Sequence, residues 1–311
     1  MRTDASKSKR PVALVSYFGA KGRLGPAIAE ELGPHRARYE PFCGGLSVTF
    51  ACPPCGNEVV NDLNGDVINM AAVIASDKWE QLRDRLARTL CCDGLVLQSA
   101  HWLSSVMRRL PVGDKPGAID PARVEKLHID WAYHFAVASW LSRENGLIGA
   151  RSPRTVSRTY TRSSSGPQRR LPRLVDGLPW MHERLRTVAI WSVDALSMIR
   201  RIRDEAGSAI YCDPPYLRAT RASSYAIDVP TDPKLEEAWH ADLAEALSRF
   251  KHTRVVVSYY DHPLLRRLYK RWSAKPLKAR RIAGHADFGK SGSAAAPEIL
   301  FINNGRAGAK S

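Results

Sequence analysis

Short apolar runs alternate with amphipathic stretches along most of this chain, and the alternation predicts an α/β fold. The apolar runs predict strands at residues 37–41, 58–61, 187–192, 209–212, 253–258 and 299–303. Between them, apolar side chains recur with a helical period, which predicts helices at residues 24–32, 67–75, 79–90, 193–202 and 236–250. Strands that alternate with helices form a mainly parallel sheet that is covered on both faces.

The alternation stops between residues 91 and 175, where we predict an inserted, mostly helical subdomain. This stretch contains three tryptophans and a helical pattern over residues 121–142. Loops at the carboxyl ends of strands carry function in α/β folds, so an insertion of this size could overhang a site. The predicted units are a domain of residues 11–90 and 176–304, an insertion of residues 91–175, and tails of residues 1–10 and 305–311.

The charge of the chain is strongly positive and unevenly distributed. Its 311 residues include 47 Lys plus Arg against 31 Asp plus Glu, which gives a formal net charge of +16. A charge of this sign indicates a polyanionic partner. Residues 151–173 carry seven arginines and no acid. This tract is either a solvated basic loop or a nucleic-acid contact that orders when the nucleic acid binds.

The sequence predicts neither export nor a membrane anchor. The amino-terminal residues are polar, and no apolar run approaches the roughly 18 residues of a membrane span. We therefore expect a reducing compartment, the cytoplasm, and free thiols on all six cysteines. Cys52 and Cys55 have the spacing of a zinc half-site or a redox pair. Because no second pair of this kind exists, we expect no metal.

The tetrapeptide Asp213-Pro214-Pro215-Tyr216 follows the apolar run at residues 209–212. Its two prolines have no backbone N–H, so the turn offers acceptors, which are what an exocyclic amino group requires. The ring of Tyr216 could stack on a base that has been extruded from a duplex. The tetrapeptide therefore predicts a site for a flipped nucleobase. An ordinary Pro-rich turn is the alternative.

Groups suited to a nucleotide-type ligand occur at two other strand ends. Gly44 and Gly45 follow the first predicted strand, and glycine lets a backbone approach a ligand closely. Asp62 ends the next strand, 18 residues after Gly44, where an acid suits a ribose diol. The full GxGxxG pattern is absent, which favours a nucleoside cofactor over a dinucleotide. Upstream, Lys21 lies between two glycines and could reach a carboxylate or phosphate.

These motifs occur in a recognisable order, in which the cofactor motifs precede the tetrapeptide. They are Tyr17-Phe18-Gly19-Ala20-Lys21, Glu40-Pro41-Phe42-Cys43-Gly44-Gly45, Asn61-Asp62-Leu63-Asn64 and Asp213-Pro214-Pro215-Tyr216. In this order, and over residues 16–303, the chain resembles the Dam-like S-adenosylmethionine-dependent DNA adenine-N6 methyltransferases. The resemblance implies a Rossmann-like sheet with a target-recognition subdomain at residues 91–175. It also implies S-adenosylmethionine as cofactor and double-stranded DNA as partner.

The resemblance implies a role for each matched cofactor residue. Lys21, with the main chain around Tyr17 and Phe18, would lie near the methionine part of the cofactor. Asp62 would bind the ribose hydroxyls, and Asp194 would reach the adenine ring. The turn beneath the cofactor would be formed by Glu40, Pro41, Phe42, Cys43, Gly44 and Gly45.

For catalysis, the resemblance implies that Asp213 and the carbonyl of Pro214 accept the hydrogens of the target N6. Tyr216 would stack on the flipped adenine. Two acceptors on these hydrogens favour a pyramidal nitrogen, whose lone pair then points at the methyl group. The cofactor carries the leaving group, so the protein has to orient the reactants and exclude water. This chemistry requires neither a metal nor a covalent nucleophile.

DNA contacts are expected from the insertion. Arg143 and Asn145 lie in a segment that keeps part of the family's recognition run, but the residues after it diverge, so the target sequence cannot be transferred. Arginine makes bidentate contacts with guanine and with phosphates. The further arginines expected to contact DNA are Arg151, Arg154, Arg158, Arg162, Arg169 and Arg170.

The leading hypothesis is therefore a site-specific DNA adenine-N6 methyltransferase. Methylation of RNA adenine N6 or of DNA cytosine N4 is a close alternative, because the amino chemistry is nearly the same. A DNA-binding relative without activity is the alternative from another class. We expect a monomer in the cytoplasm of a bacterial or phage-infected cell. A solitary enzyme, a restriction-modification partner and a phage self-protection enzyme would have the same sequence features.

Overall fold

A computed structural model of the protein describes residues 13–15, 21–107, 121–141, 167–220, 229–277 and 298–303. Within these residues seven strands form one sheet: β1 (Ala37–Glu40), β2 (Asn57–Asn61), β3 (Ala189–Trp191), β4 (Ser208–Cys212), β5 (Arg254–Tyr260), β6 (Ser273–Pro276) and β7 (Glu298–Ile302). The order is β3-β2-β1-β4-β5-β7-β6. Strands β1 to β5 pair in parallel, and β7 is antiparallel to both β5 and β6. The predicted α/β class and mainly parallel sheet are confirmed.

Along the sequence, the helices of the described residues precede the first strand or lie between strands. They are α1 (Gly25–Leu32), α2 (Ser47–Ala51), α3 (Gly65–Ala75), α4 (Trp79–Ala87), α5 (Asp93–Met107), α6 (Pro121–Leu141), α7 (Pro167–Leu185), α8 (Ala195–Arg201), α9 (Pro233–Ser248) and α10 (Pro263–Leu268). Two short 3-10 turns cover Lys21–Arg23 and Arg218–Thr220. None of the helices described is both long and apolar enough to span a membrane.

Alternate side chains of β4 reach opposite faces of the sheet, as the period of a strand requires. Ile210 packs with Leu243 of α9 on one face. Tyr211 packs with Ile28 of α1 on the other. Helices therefore cover both faces, as the alternation of elements in the sequence predicted.

The order of the strands reverses between β1 and β4. From β1 the chain continues to β2 and β3 on one side, then returns to place β4 on the other side of β1. In open parallel sheets a ligand binds outside the carboxyl ends of the strands at such a switch point. Because β1 ends at Glu40 and β4 at Cys212, the glycine turn and the tetrapeptide begin on either side of this point.

The helices of the predicted insertion share a hydrophobic core with the sheet domain. Val67 of α3, Phe135 of α6 and Leu174 of α7 belong to one buried cluster. Helix α7 also continues without a break across residues 175 and 176, where the domain boundary was predicted. The division into domains stays a prediction.

One expectation for local structure was wrong, and one strand was missed. Residues 167–173, at the end of the arginine tract, form the start of α7 rather than a segment without structure. They are helical because Leu171 and Leu174 are buried on one side of the helix while Arg169 and Arg173 face outward. Strand β6 was not predicted at all. Its four residues are exposed and end at a proline, so they carry no period-two pattern of apolar side chains.

Candidate active site

Four polar side chains converge beside the carboxyl end of β4. The ammonium of Lys21 lies 3.2 Å from Oδ1 of Asp213 and 2.6 Å from Oε1 of Glu298. It also donates a hydrogen bond of 2.7 Å to the hydroxyl of Tyr216, which in turn donates one of 2.7 Å to Glu298. The side chains of Lys21, Asp213 and Glu298 are only 8%, 21% and 10% exposed. One cation is thus shared by two carboxylates in a largely dry site.

Distant parts of the chain bring these groups together. Asp213 and Tyr216 follow β4, whose residues are all buried, and the two prolines between them restrict the turn. Lys21 opens the 3-10 turn ahead of α1. Glu298 is the first residue of β7 and pairs with Tyr260, the last residue of β5. The sheet register therefore sets the position of Glu298.

Asp213 is held by its neighbours through one oxygen. Ser258 donates a hydrogen bond of 2.8 Å to Oδ1, and the hydroxyl of Tyr211 lies 2.9 Å from that of Ser258. Among the described residues, the contacts with this carboxylate go to Oδ1, so Oδ2 remains an acceptor for a ligand. Desolvation raises the pKa of Asp213, Lys21 opposes that effect, and the charge of Glu298 adds to it.

The ring of Tyr216 is buried and makes aromatic contacts. Its centroid lies 4.8 Å from that of Tyr260, edge to face, and 5.6 Å from that of Tyr259. The ammonium of Lys21 lies 4.9 Å from the ring centroid. Burial holds the pKa of Tyr216 well above its ordinary value, so the hydroxyl stays protonated and donates to Glu298.

The glycine turn after β1 contacts the acid at the end of β2. Asp62 accepts a hydrogen bond of 2.9 Å from the backbone N–H of Gly44 and another of 2.9 Å from that of Asn64. Gly44 has a φ of 45°, a conformation that favours glycine. At Gly45, an added Cβ would lie 3.3 Å from Val15, so this glycine accommodates the neighbouring chain. Burial raises the pKa of Asp62.

The side chain of Asn61 forms hydrogen bonds that link the ends of β1, β2 and β3. Its amide nitrogen donates to the carbonyls of Pro41 and Val193, at 3.0 and 2.9 Å, and its oxygen accepts from the N–H of Val193 at 2.9 Å. Asp194, which follows Val193, caps α8 by accepting a hydrogen bond of 2.7 Å from the backbone N–H of Ser197. Asp62 and Asp194 thus follow neighbouring strands β2 and β3.

Glu40 is part of a buried charge network beneath the turn. Its carboxylate accepts a hydrogen bond of 2.7 Å from Thr49 and lies 3.2 Å from the guanidinium of Arg38. Arg38 also contacts Glu58 of β2, to which Arg184 of α7 donates two hydrogen bonds of 2.6 Å. These contacts join β1, β2, α2 and α7.

A sequence profile for the family described as D12 class N6 adenine-specific DNA methyltransferase matches residues 17–282. This match covers most of the chain. The chain belongs to this family. Enzymes of this class methylate adenine in DNA with S-adenosylmethionine as donor.

Solved structures show looser likenesses to this chain. SMU.472, a candidate methyltransferase complexed with SAH, has a TM-score of 0.36 and 10% identity, covering 98% of this chain and 55% of its own. The chain therefore spans about half the length of that protein. The rRNA methyltransferase AviRa from Streptomyces viridochromogenes has a TM-score of 0.35 and 15% identity, covering 97% of this chain and 93% of its own. A comparison with curated protein sequences gives no match.

Of the residues predicted from the sequence, the methyltransferase fold brings two groups together. Asp213 and Tyr216 meet Lys21, with Pro214 buried between them, while Gly44 meets Asp62. Phe42 lies edge to face with Trp239 at 6.1 Å. Pro41, Cys43 and Gly45 complete the turn, where Cys43 is buried, and burial holds its pKa well above the ordinary value. The roles assigned to these residues stay predictions.

Several predicted site residues lie outside the described residues of the methyltransferase. They are Tyr17, Phe18, Arg143, Asn145, Arg151, Arg154, Arg158 and Arg162. Arg169 and Arg170 lie in the first turns of α7, where Arg169 is exposed and Arg170 is half-buried.

Cys52 is buried and Cys55 is partly buried, and both are free cysteines. Burial raises the pKa of both thiols, to about 11 for Cys52. Over the part of the chain that the structure describes, no three His, Cys, Asp or Glu side chains are grouped as metal ligands would be.

Sequence reasoning missed Glu298 and Asn61. Both lie in segments that had been matched to the family, but neither was assigned a role. Asn61 carries a usable signal, since a buried amide next to a strand-end acid has to find partners in neighbouring loops. Glu298 carries a weaker signal, because its partners depend on the pairing of β5 with β7.

Proposed function

We propose that the chain transfers a methyl group from S-adenosylmethionine to N6 of an adenine that has been turned out of double-stranded DNA at a specific sequence. The observation that carries this proposal is the position of the Asp213 carboxylate. This carboxylate lies at the carboxyl end of β4 beside the switch point and is fixed through Oδ1 by Ser258 and Lys21, while none of the described residues bonds to Oδ2, which can therefore act as an acceptor. An amino group with two hydrogens needs such an acceptor.

The residues on the β1–β3 side of the switch point fit the methyl donor. Asp62 and Asp194 are carboxylates that follow adjacent strands, and the glycine turn lies directly beside Asp62. Asp62 would hold the ribose hydroxyls and Asp194 the adenine ring. S-adenosylmethionine supplies a methyl group activated by a positively charged sulfur. The two halves of the site, one for each substrate, then face each other across the ends of β1 and β4.

The protein's contribution to the reaction is to orient the amino group and to place charge. Asp213 and the carbonyl of Pro214 accept the two N6 hydrogens, which turns the nitrogen lone pair toward the methyl carbon. The nitrogen forms the new C–N bond, the C–S bond breaks with its electron pair going to sulfur, and one N6 proton leaves. Asp213 can take that proton, because burial raises the pKa of its carboxyl.

The flipped base would be held by Tyr216 and the DNA by basic side chains. A base taken out of the stack is stabilised by an aromatic ring beside its hydrogen-bond partners. Arg169, exposed on α7, and the arginines of residues 143–162 would neutralise phosphates or contact base edges. The net charge of +16 supports a polyanionic substrate.

The test is to incubate the protein with S-adenosylmethionine labelled in the methyl group, separately with duplex DNA, single-stranded DNA and RNA. The nucleosides are then separated and identified by mass spectrometry. We expect the label in N6-methyldeoxyadenosine from the duplex, and only in a restricted set of sequence contexts. Label in N4-methyldeoxycytidine, or only in RNA, would contradict the proposal. An unlabelled duplex with cofactor bound would indicate the inactive relative.

A further inference from the structure

Glu298 makes the shortest contact of the charged cluster. Its Oε1 lies 2.6 Å from the ammonium of Lys21, whereas Oδ1 of Asp213 lies 3.2 Å from the same nitrogen. The same Oε1 accepts the hydroxyl of Tyr216 at 2.7 Å. Its side chain is 10% exposed, so these interactions are weakly screened by solvent. Nothing in the proposed reaction uses this carboxylate directly.

Because of Glu298, the ammonium of Lys21 interacts with two carboxylates instead of with Asp213 alone. Without Glu298, the ammonium would have Asp213 as its sole carboxylate partner within this cluster and would approach it more closely. A carboxylate bound tightly to an ammonium is a poorer acceptor for another hydrogen bond, since its negative charge is already compensated. With Glu298 present, Lys21 stays near Asp213 without neutralising it.

We propose that Glu298 is a positioning residue for methyl transfer. As the principal counter-ion of Lys21, it holds the ammonium away from Asp213 and fixes the hydroxyl of Tyr216. Asp213 is thereby left as a strong acceptor for the amino hydrogens of the target. The catalytic consequence rests on the proposed function, whereas the electrostatic effect on Asp213 can be measured without any substrate.

The geometry of the sheet supports this assignment. Glu298 opens β7, and its backbone is fixed by pairing with Tyr260 of β5. Tyr260 itself packs edge to face on Tyr216, so strand pairing and ring packing fix the carboxylate and its tyrosine partner together. Within the part of the chain that the structure describes, the charged, titratable or hydroxyl groups of this cluster are Lys21, Tyr211, Asp213, Tyr216, Ser258, Tyr260 and Glu298.

The deciding experiment measures the pKa of Asp213 in Glu298→Gln. Glutamine keeps the size and the acceptor oxygen but removes the charge. Carboxyl carbons of aspartate are labelled with carbon-13 and titrated by NMR in the free protein, with Asp213→Asn to assign the signal. We expect the pKa of Asp213 to fall, because the repulsion from Glu298 disappears while Lys21 remains. The matched control, Glu245→Gln, changes an exposed glutamate of α9 and should leave this pKa unchanged.

Kinetics give the second readout. In single-turnover methylation of duplex DNA, Glu298→Gln should be slower by roughly ten- to a hundredfold, as expected when an acceptor is weakened or misplaced. The affinity for S-adenosylmethionine, measured by calorimetry, should stay within about twofold of the parent. The acid limb of the rate profile should move to lower pH. A slower enzyme with an unmoved acid limb would indicate a merely structural role and would overturn the proposal.

Lys21→Met keeps the proposal testable if Glu298→Gln does not fold. Removing the cation leaves Asp213 facing Glu298 alone, so the pKa of Asp213 should rise instead of falling. A fall in this variant, or an unchanged or raised pKa in Glu298→Gln, would overturn the proposal. These titrations use no DNA. If the parent protein fails to methylate adenine, the proposed function is refuted. The titrations still decide whether Glu298 controls the pKa of Asp213.

Discussion

At the scale of single residues, Asp213 combines two properties that oppose each other. In the proposed reaction it must be ionised to act as a strong acceptor for an amino hydrogen, but desolvation and the nearby charge of Glu298 both favour its neutral form. Lys21 and Ser258 act in the other direction by stabilising the anion. An acid whose pKa is raised by burial beside a specific charged partner is typical of catalytic sites.

The first prediction concerns pH. Because the pKa of Asp213 is raised above the ordinary value of an aspartate, protonation removes the acceptor at a higher pH than it would for an exposed aspartate. The single-turnover rate should therefore fall as the pH is lowered, beginning above the ordinary aspartate range. The measurement uses saturating cofactor, since burial also raises the pKa of Asp62. A rate that stays constant down to the ordinary aspartate pKa would contradict this assignment.

At the scale of elements, α7 is anchored to the sheet through charge. Arg184 donates two hydrogen bonds to Glu58 of β2, which also contacts Arg38, and all three side chains are almost fully buried. Removing one member of such a network leaves buried charges without compensation. The network thus couples α7 to the strands β1 and β2, which precede the glycine turn and Asp62.

The second prediction follows from this network. Glu58→Gln should lower the free energy of unfolding by about 3–5 kcal/mol, because Arg38 and Arg184 lose the anion between them. Urea unfolding followed by circular dichroism measures the change. The control is Glu183→Gln in the same helix, whose 67% exposed carboxylate pairs with Arg186 at 3.5 Å and should cost less than about 1 kcal/mol. Equal effects of the two variants would show that the buried network contributes little.

The third prediction concerns the outer face of α7. Arg169→Ala combined with Arg170→Ala should weaken duplex binding and lower the slope of log affinity against log salt by about two. Arg169 is exposed and should account for more of the loss than half-buried Arg170. Fluorescence anisotropy at several salt concentrations provides the data. Arg186→Ala, which changes an exposed arginine directly after the far end of the helix, is the control. If the slope is unchanged in the double variant, these arginines do not contact DNA.

The sequence predicted elements best where burial repeats regularly. Strand β4 and the central residues of β5 are continuously buried, and helix α3 buries most of its mainly apolar residues, so each was found within a few residues. Strand β6 was missed because its residues are exposed and it owes its place to pairing with β7. Local patterns contain no information on such pairing.

At the scale of the whole molecule, the site forms where the strand order reverses. The motifs that follow β1, β2 and β4 could be placed at one edge of the sheet from the sequence, because carboxyl ends of parallel strands share an edge. The cluster of Lys21 with Tyr216 and Glu298 could not. It joins residues separated by 195 and 82 positions, and it depends on antiparallel pairing of the last strand.

The most direct measurement compares the parent protein with Asp213→Asn in two assays, formation of N6-methyldeoxyadenosine in duplex DNA and affinity for S-adenosylmethionine. Asn keeps the shape but offers one acceptor oxygen without charge. Near neutral pH the fold should not be weakened, since a buried acid with a raised pKa costs stability when it is ionised.

We expect Asp213→Asn to lose methyl transfer by at least about a hundredfold while it binds the cofactor as the parent does. Asp242→Asn, an exposed aspartate of α9, should behave as the parent in both assays. Two results would contradict the role assigned to this carboxylate. Asp213→Asn could transfer methyl groups at the parental rate, or it could fail to bind the cofactor.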